Sequence, residues 1–161
     1  MKKTKSGFIA RAGLTAALYV VLTLPLGSLA YAPFFQIRPA EALTVLPLLM
    51  PSSVIGVTVG CMIVNMFGGG IWDVVIGGGI TFLACVVTKF SKKIGIGVIP
   101  PILFNAVGLP LVFIILGYQT GYWYSFFQML ISQSVWVCGL GIPLYYIVKK
   151  LQKQDNGLDL Y

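Results

Sequence analysis

The stretch Gln36-Ile37-Arg38-Pro39-Ala40-Glu41 runs directly into the apolar residues Ala42-Leu43-Thr44-Val45-Leu46. Only three charged residues occur between Arg11 and Lys89: Arg38, Glu41 and Asp73. A charged side chain at the centre of a bilayer costs about 3 kcal/mol on insertion scales. Such charges therefore belong at a membrane surface, in a polar cavity or against a partner charge. We expect this stretch to line a ligand site at one face of a membrane protein.

The composition is that of an integral membrane protein. Of the 161 residues, 58% are hydrophobic and 9% are charged, and the mean hydropathy is +0.93. A soluble domain carries about 25% charged residues. The sequence therefore predicts an all-α membrane protein, with residues 1–161 forming one helical bundle and no separate soluble domain.

The net charge of +7 is explained by membrane topology and does not predict a nucleic-acid partner. The basic residues form three clusters that flank apolar runs: Lys2/Lys3/Lys5/Arg11, Lys89/Lys92/Lys93 and Lys149/Lys150/Lys153. Cytoplasmic loops of membrane proteins are enriched in lysine and arginine in this way. The apolar run after Arg11 is longer than the core of a typical signal peptide, so we expect a retained span.

The chain offers few groups for metal, cofactor or catalytic chemistry. It has no histidine, and its cysteines lie in apolar segments without CxxC spacing: Cys61, Cys85 and Cys138. Buried cysteines of this kind behave as small hydrophobes. The glycine runs lack the GxxxxGK pattern of a phosphate loop. We expect no metal site, no cofactor, no ATP site on this chain and no enzymatic activity.

A transmembrane helix needs about 20 residues to cross the hydrocarbon layer. The apolar runs give six candidate spans, at residues 8–30, 39–50, 53–67, 71–90, 96–117 and 122–149. The region from Pro39 to Phe67 could be one span or two short ones broken at Pro47 and Pro51. Two spans place every basic cluster on the same side, whereas one span places the Lys89–Lys93 loop opposite the N-terminus. The positive-inside rule favours six spans, with both termini cytoplasmic and the second and third helices short.

With this topology, the interior charges collect at the outer face. Glu41 and Asp73 fall in the first turns of helices that start from outside, near Asn65 and Trp72. Each of these residues could also occur there for a reason unrelated to ligand binding. The helix dipole favours acidic residues in a first turn, and Arg38 could simply pair with Glu41. Aromatic residues such as Trp72 are common at membrane boundaries. Their convergence beside short helices favours a polar pocket.

Two further features leave alternatives open. Asn105 could face the floor of the pocket or form a hydrogen bond with a neighbouring helix. The small residues Ala12 and Ala16, four apart near the cytoplasmic end of the first helix, favour close helix packing, either within the bundle or with a partner.

Two segments resemble the signature of a known family. They are Arg38-Pro39-Ala40-Glu41-Ala42-Leu43-Thr44-Val45-Leu46-Pro47, and Asn65-Met66-Phe67-Gly68-Gly69 followed by Trp72-Asp73-Val74-Val75-Ile76-Gly77. Both are similar to segments of QueT-type proteins, the substrate-binding (S) components of energy-coupling factor (ECF) transporters for queuosine precursors. The length, the span count and the charge placement fit this family over the whole chain.

The resemblance implies a multi-pass protein of the bacterial plasma membrane that captures a 7-deazaguanine, such as 7-aminomethyl-7-deazaguanine or queuine, from outside. Glu41 and Asp73 would bind its donor edge and its amine, and Asn65 would complete the hydrogen bonding, with Asn105 as a further candidate. Trp72 would stack on the ring, and Arg38 would either orient Glu41 or contact the carbonyl group. The lid over the site would comprise Tyr31, Phe35 and Gln36.

The family also implies partners: a coupling subunit (T component), which would dock on Ala12 and Ala16, and two ATPase subunits that would hydrolyse ATP. Two alternatives remain at this stage. The chain could be an S component for another small, vitamin-like molecule, or a stand-alone ion-coupled transporter with Glu41 or Asp73 as proton carrier.

Overall fold

The computed structural model describes residues 5–32, 36–68, 70–117 and 121–154, and these residues form helices without a strand. The all-α prediction is confirmed. The elements, in chain order, are α1 (Lys5–Ala30), a 3₁₀ helix (Pro39–Leu48), α2 (Ser53–Gly68), α3 (Gly70–Phe90), α4 (Ile94–Ile115) and α5 (Tyr122–Gln154).

Four of these helices, α1, α3, α4 and α5, are long and apolar enough to cross a membrane. The other two are shorter: the 3₁₀ helix has 10 residues and α2 has 16. At ~2.0 Å per residue in a 3₁₀ helix and ~1.5 Å in an α-helix, they span about 20 and 24 Å. The described residues thus contain four membrane-length helices, and the chain has the character of a multi-pass membrane protein.

The 3₁₀ helix lies at the centre of the bundle. Every residue from Ala40 to Pro47 is buried, and the segment packs against α1, α2, α3 and α5. In a regular α-helix the ring of Pro47 would clash with the carbonyl group of Leu43. The segment instead winds as a 3₁₀ helix from Pro39 to Leu48, which is tighter than the ordinary short helix that the sequence pattern suggests.

Three long helices depart from regular α geometry. Residues Asp73–Gly77 of α3 and Val137–Gly141 of α5 form π-helical turns. In α1, the last segment is a 3₁₀ helix with a break at Gly27, whose φ of 53° lies in the left-handed region that favours glycine. π-turns occur frequently at functional sites, and here one of them begins at Asp73.

Small residues allow α1 and α2 to pack closely. A Cβ atom at Gly60 would lie 2.7 Å from the Tyr19 Cβ and 3.0 Å from the Ala16 carbonyl oxygen, and one at Gly56 would lie 2.5 Å from the Ala12 carbonyl oxygen. Ala16 is buried in the bundle and Ala12 is half-buried. The small residues of α1 are therefore used, at least in part, for packing within the chain.

We predict that Gly60→Ala destabilises the protein, because the added methyl group would force α1 and α2 apart. Overpacking of this kind costs about 1–3 kcal/mol. The control is Gly13→Ala, because a Cβ at Gly13 meets no atom within 4 Å. Thermal unfolding in detergent measures the difference, and a Gly60→Ala variant as stable as Gly13→Ala would contradict the packing described here.

Candidate ligand-binding site

Arg38 and Glu41 are placed in the interior by the start of the 3₁₀ helix. Arg38 immediately precedes Pro39, the first residue of this helix, and Glu41 lies in its first turn. Their relative exposures are only 3% and 2%. Charged residues are almost never buried to this extent unless they are paired, so the partners of each side chain define the site.

The Arg38 guanidinium group binds three different elements. Its Nε–H donates to the Ala30 carbonyl oxygen at 2.6 Å, and Nη2 donates to the Asn65 Oδ1 at 3.3 Å. The same Nη2 lies 3.9 Å from the Asp73 Oδ2. The guanidinium carbon lies 5.4 Å from the centre of the Tyr31 ring, within the range of a cation–π interaction. Arg38 therefore ties the end of α1 to α2 and α3.

Glu41 has separate partners. The Tyr19 hydroxyl donates to its Oε1 at 2.7 Å, and the Asn105 Nδ2 donates to its Oε2 at 3.3 Å. An ion pair between Arg38 and Glu41 was one possibility allowed by the sequence, but the ion-pair partner of Arg38 in the described residues is Asp73. A carboxylate has about four lone-pair sites, so Glu41 retains acceptor capacity beyond these two hydrogen bonds.

Asn65 and Asp73 form the second half of the cluster. The Asn65 Nδ2 donates to the Asp73 backbone oxygen at 2.9 Å and contacts the Cys61 Sγ at 3.6 Å. Only a glycine fits beside these two side chains. A Cβ at Gly77 would lie 2.9 Å from the Asp73 Oδ1 and 3.0 Å from the Asn65 Nδ2. The π-turn that starts at Asp73 thus brings a small residue against the cluster.

The structure brings together five of the predicted ligand-binding residues: Arg38, Glu41, Asn65, Asp73 and Asn105. We call these five residues and Tyr19 the polar cluster. Trp72 differs from these buried residues, because its side chain is 55% exposed. Its predicted stacking role has no support from this position.

The three residues predicted to form the lid have different environments in the structure or lie outside the described residues. Phe35 lies outside the described residues. Gln36 is 2% exposed, and its backbone oxygen accepts hydrogen bonds from the Ser132 Oγ at 2.6 Å and the Trp136 Nε1 at 3.1 Å. The Tyr31 hydroxyl donates to the Val64 carbonyl oxygen at 2.7 Å. Burial raises the pKa of the Tyr31 phenol above its usual range, so it remains a neutral donor.

A groove of about 820 Å³ adjoins the polar cluster through Tyr31. Tyr31 contributes to the wall of the groove, and the face of its ring is turned to Arg38. The lining residues are Leu24, Gly27, Ser28, Leu29, Tyr31, Ala32, Phe67 and Gly68. Tyr31 therefore borders both this groove and Arg38.

Sequence reasoning missed Tyr19, which is fully buried and binds Glu41 directly. A signal was available, because Tyr19 lies three and seven residues after Ala16 and Ala12 and so extends their face of the helix. For metals, the residues that the structure describes include no group of three or more His, Cys, Asp or Glu side chains in a ligating arrangement.

The comparisons with known proteins identify the family. A family model described as the QueT transporter matches residues 9–150. The chain belongs to the QueT transporter family. Among curated proteins, the queuosine precursor transporter QueT of Lactococcus lactis subsp. cremoris (strain MG1363) is 36% identical over 96 residues, which cover 57% of this chain and 56% of that protein. No solved structure matches this QueT-family chain.

We predict that Tyr19→Phe lowers stability, because it removes a hydrogen bond to a buried carboxylate. Leaving such a group short of a donor costs about 1–3 kcal/mol. Tyr122→Phe is the matched control, since its hydroxyl donates to the Val107 carbonyl oxygen at 3.2 Å in an exposed position. Thermal unfolding measures the two effects. An equal loss of stability in both variants would show that the buried hydrogen bond between Tyr19 and Glu41 stabilises the protein no more than an exposed one.

Proposed function

We propose that this chain is the S component of an ECF-type importer and captures a 7-deazaguanine queuosine precursor at the polar cluster. The main observation in support is the burial of Arg38, Glu41 and Asp73 beside two asparagines in an apolar bundle. Family membership and the name of the Lactococcus lactis relative support the substrate class.

The chemistry of the cluster fits a guanine-like ligand. The edge of such a base presents adjacent N–H donors, which a carboxylate accepts in a paired, charge-assisted arrangement. A cationic aminomethyl group would be bound by the second carboxylate. We propose that Glu41 and Asp73 share these roles, that Arg38 donates to the carbonyl oxygen of the base, and that Asn65 and Asn105 complete the hydrogen bonding.

A stacking partner is also needed for a flat base, and Tyr31 is better placed for this role than Trp72. The Tyr31 ring already lies over a cation at the cluster, whereas Trp72 is largely exposed. Aromatic rings stack on purine-like bases with favourable free energy. In this proposal the groove beside Tyr31 is the route by which the ligand reaches the cluster.

The remaining parts of the proposal concern the membrane and the partners. The chain would cross the bacterial plasma membrane six times as a single domain, with both termini in the cytoplasm. Ala12 and Ala16 line an apolar groove of about 250 Å³ between α1 and α2, and a coupling subunit would dock there through close helix contact. ATP would be hydrolysed by two partner ATPases.

We predict that Glu41→Gln and Asp73→Asn each raise the Kd for 7-aminomethyl-7-deazaguanine at least tenfold. This corresponds to a loss of about 1.4 kcal/mol of binding free energy, because each substitution removes a charged acceptor. Isothermal titration calorimetry of the detergent-purified protein measures the change.

The control for this experiment is Asp159→Asn, the same change of acid to amide near the end of the sequence. It is expected to leave the Kd within about twofold of wild type. Unchanged affinity in both Glu41→Gln and Asp73→Asn would exclude the polar cluster as the ligand site.

We predict further that liposomes containing this chain alone bind the ligand without accumulating it, because the ATPases are on other subunits. Uptake of radiolabelled ligand over time distinguishes the two cases. Robust accumulation by the chain alone would instead support a stand-alone ion-coupled transporter.

A further inference from the structure

Two almost fully buried glutamines have side-chain oxygens without a hydrogen-bond donor among the described residues, a feature that the half-buried Gln128 shares. The Oε1 atoms of Gln36 and Gln133 are fully shielded and receive no hydrogen bond from the part of the chain that the structure describes. The residues themselves are 2% and 1% exposed. Buried polar atoms nearly always have a partner, so two such acceptors in one region require an explanation.

Both glutamines lie on the side of the bundle where α5 meets the 3₁₀ helix. Gln36 precedes this helix, and its backbone oxygen is held by Ser132 and Trp136 of α5. Gln133 directly follows Ser132 on the same helix. The backbone at Gln36 is therefore fixed to α5 next to Gln133, while the two side-chain oxygens remain unpaired.

The glutamines are also linked to the part of the polar cluster that contains Glu41 and Asn105. Gln36 lies five residues before Glu41 in the chain. Ala106, next to Asn105, packs in one hydrophobic cluster with Met129, which is one turn before Gln133. The two glutamines thus lie on segments that adjoin those carrying Glu41 and Asn105.

We infer that Gln36 and Gln133 are ligand-binding residues whose side-chain oxygens accept N–H groups of the ligand. This inference rests on the proposed function and names the ligand class more narrowly. With Glu41 and Asp73, the site offers four acceptor side chains and one cationic donor, Arg38. With the glutamine amides in the observed orientation, the site favours a base with N–H donors on more than one edge over a molecule that offers only carbonyl or phosphate oxygens.

We expect replacement of either glutamine to weaken ligand binding without lowering the stability of the ligand-free protein. In the ligand-free protein an unpaired buried acceptor is unfavourable, so its replacement with methionine, which has similar length and only a weak acceptor, is expected not to lower the melting temperature. Binding is expected to weaken, because the ligand N–H then lacks a partner. A residue with a purely structural role would lower the melting temperature and leave the Kd unchanged.

The test measures Gln36→Met and Gln133→Met by calorimetry with 7-aminomethyl-7-deazaguanine and by thermal unfolding without ligand. Gln152→Met is the matched control, because Gln152 is a half-buried glutamine farther along α5 whose buried unpaired atom is Nε2. We expect a rise in Kd of at least tenfold for both variants, an unchanged or higher melting temperature, and a Kd within about twofold of wild type for the control.

A Kd within twofold of wild type for either variant overturns the assignment of that residue, whatever its melting temperature. A variant with reduced binding stoichiometry and unchanged Kd is partly misfolded, and this result also counts against a contact with the ligand. Wild-type protein that binds no 7-deazaguanine would overturn the proposed function and this inference together. Normal wild-type binding with unchanged variants would overturn the inference alone.

Discussion

The burial of the Arg38 charge in an apolar bundle is the constraint on which the rest of the structure depends. A buried cation is tolerated only when its donors are matched by acceptors. Here the acceptors come from the end of α1, from α2 and from α3, through Ala30, Asn65 and Asp73. These three helices must therefore meet at one point, and the 3₁₀ helix that begins after Arg38 must lie between them.

The same requirement explains the irregular backbone around the site. Asp73 starts a π-turn, and Gly77 in that turn leaves room for the Asp73 carboxylate and the Asn65 amide. A second π-turn follows Trp136, which holds the backbone at Gln36. Replacement of buried ion pairs with apolar residues is often neutral or stabilising. The irregular backbone around this cluster is in keeping with the ligand-binding role that we propose for it.

The amino-acid sequence predicted the helical class and named five residues that the polar cluster contains. These features follow from hydropathy and from the small number of charged residues, which can both be read from the sequence alone. The pairing within the cluster was not predictable, because Arg38 and Glu41 are neighbours in sequence but bind partners on different helices. Tyr19 and Gln133 were missed as site residues since only packing decides which face of an apolar helix is turned inward. The exposure of Trp72, which immediately precedes a π-turn, was likewise not visible in the sequence pattern.

We propose above that the polar cluster holds a guanine-like base. The most direct test of this proposal is a structure of the chain with bound 7-aminomethyl-7-deazaguanine. We expect the ring to lie within hydrogen-bond distance, about 3.5 Å, of carboxylate oxygens from both Glu41 and Asp73. We also expect the Arg38 guanidinium to remain beside Asp73. Ligand density confined to the groove lined by Leu24 and Gly68, with the polar cluster unchanged, would contradict this assignment.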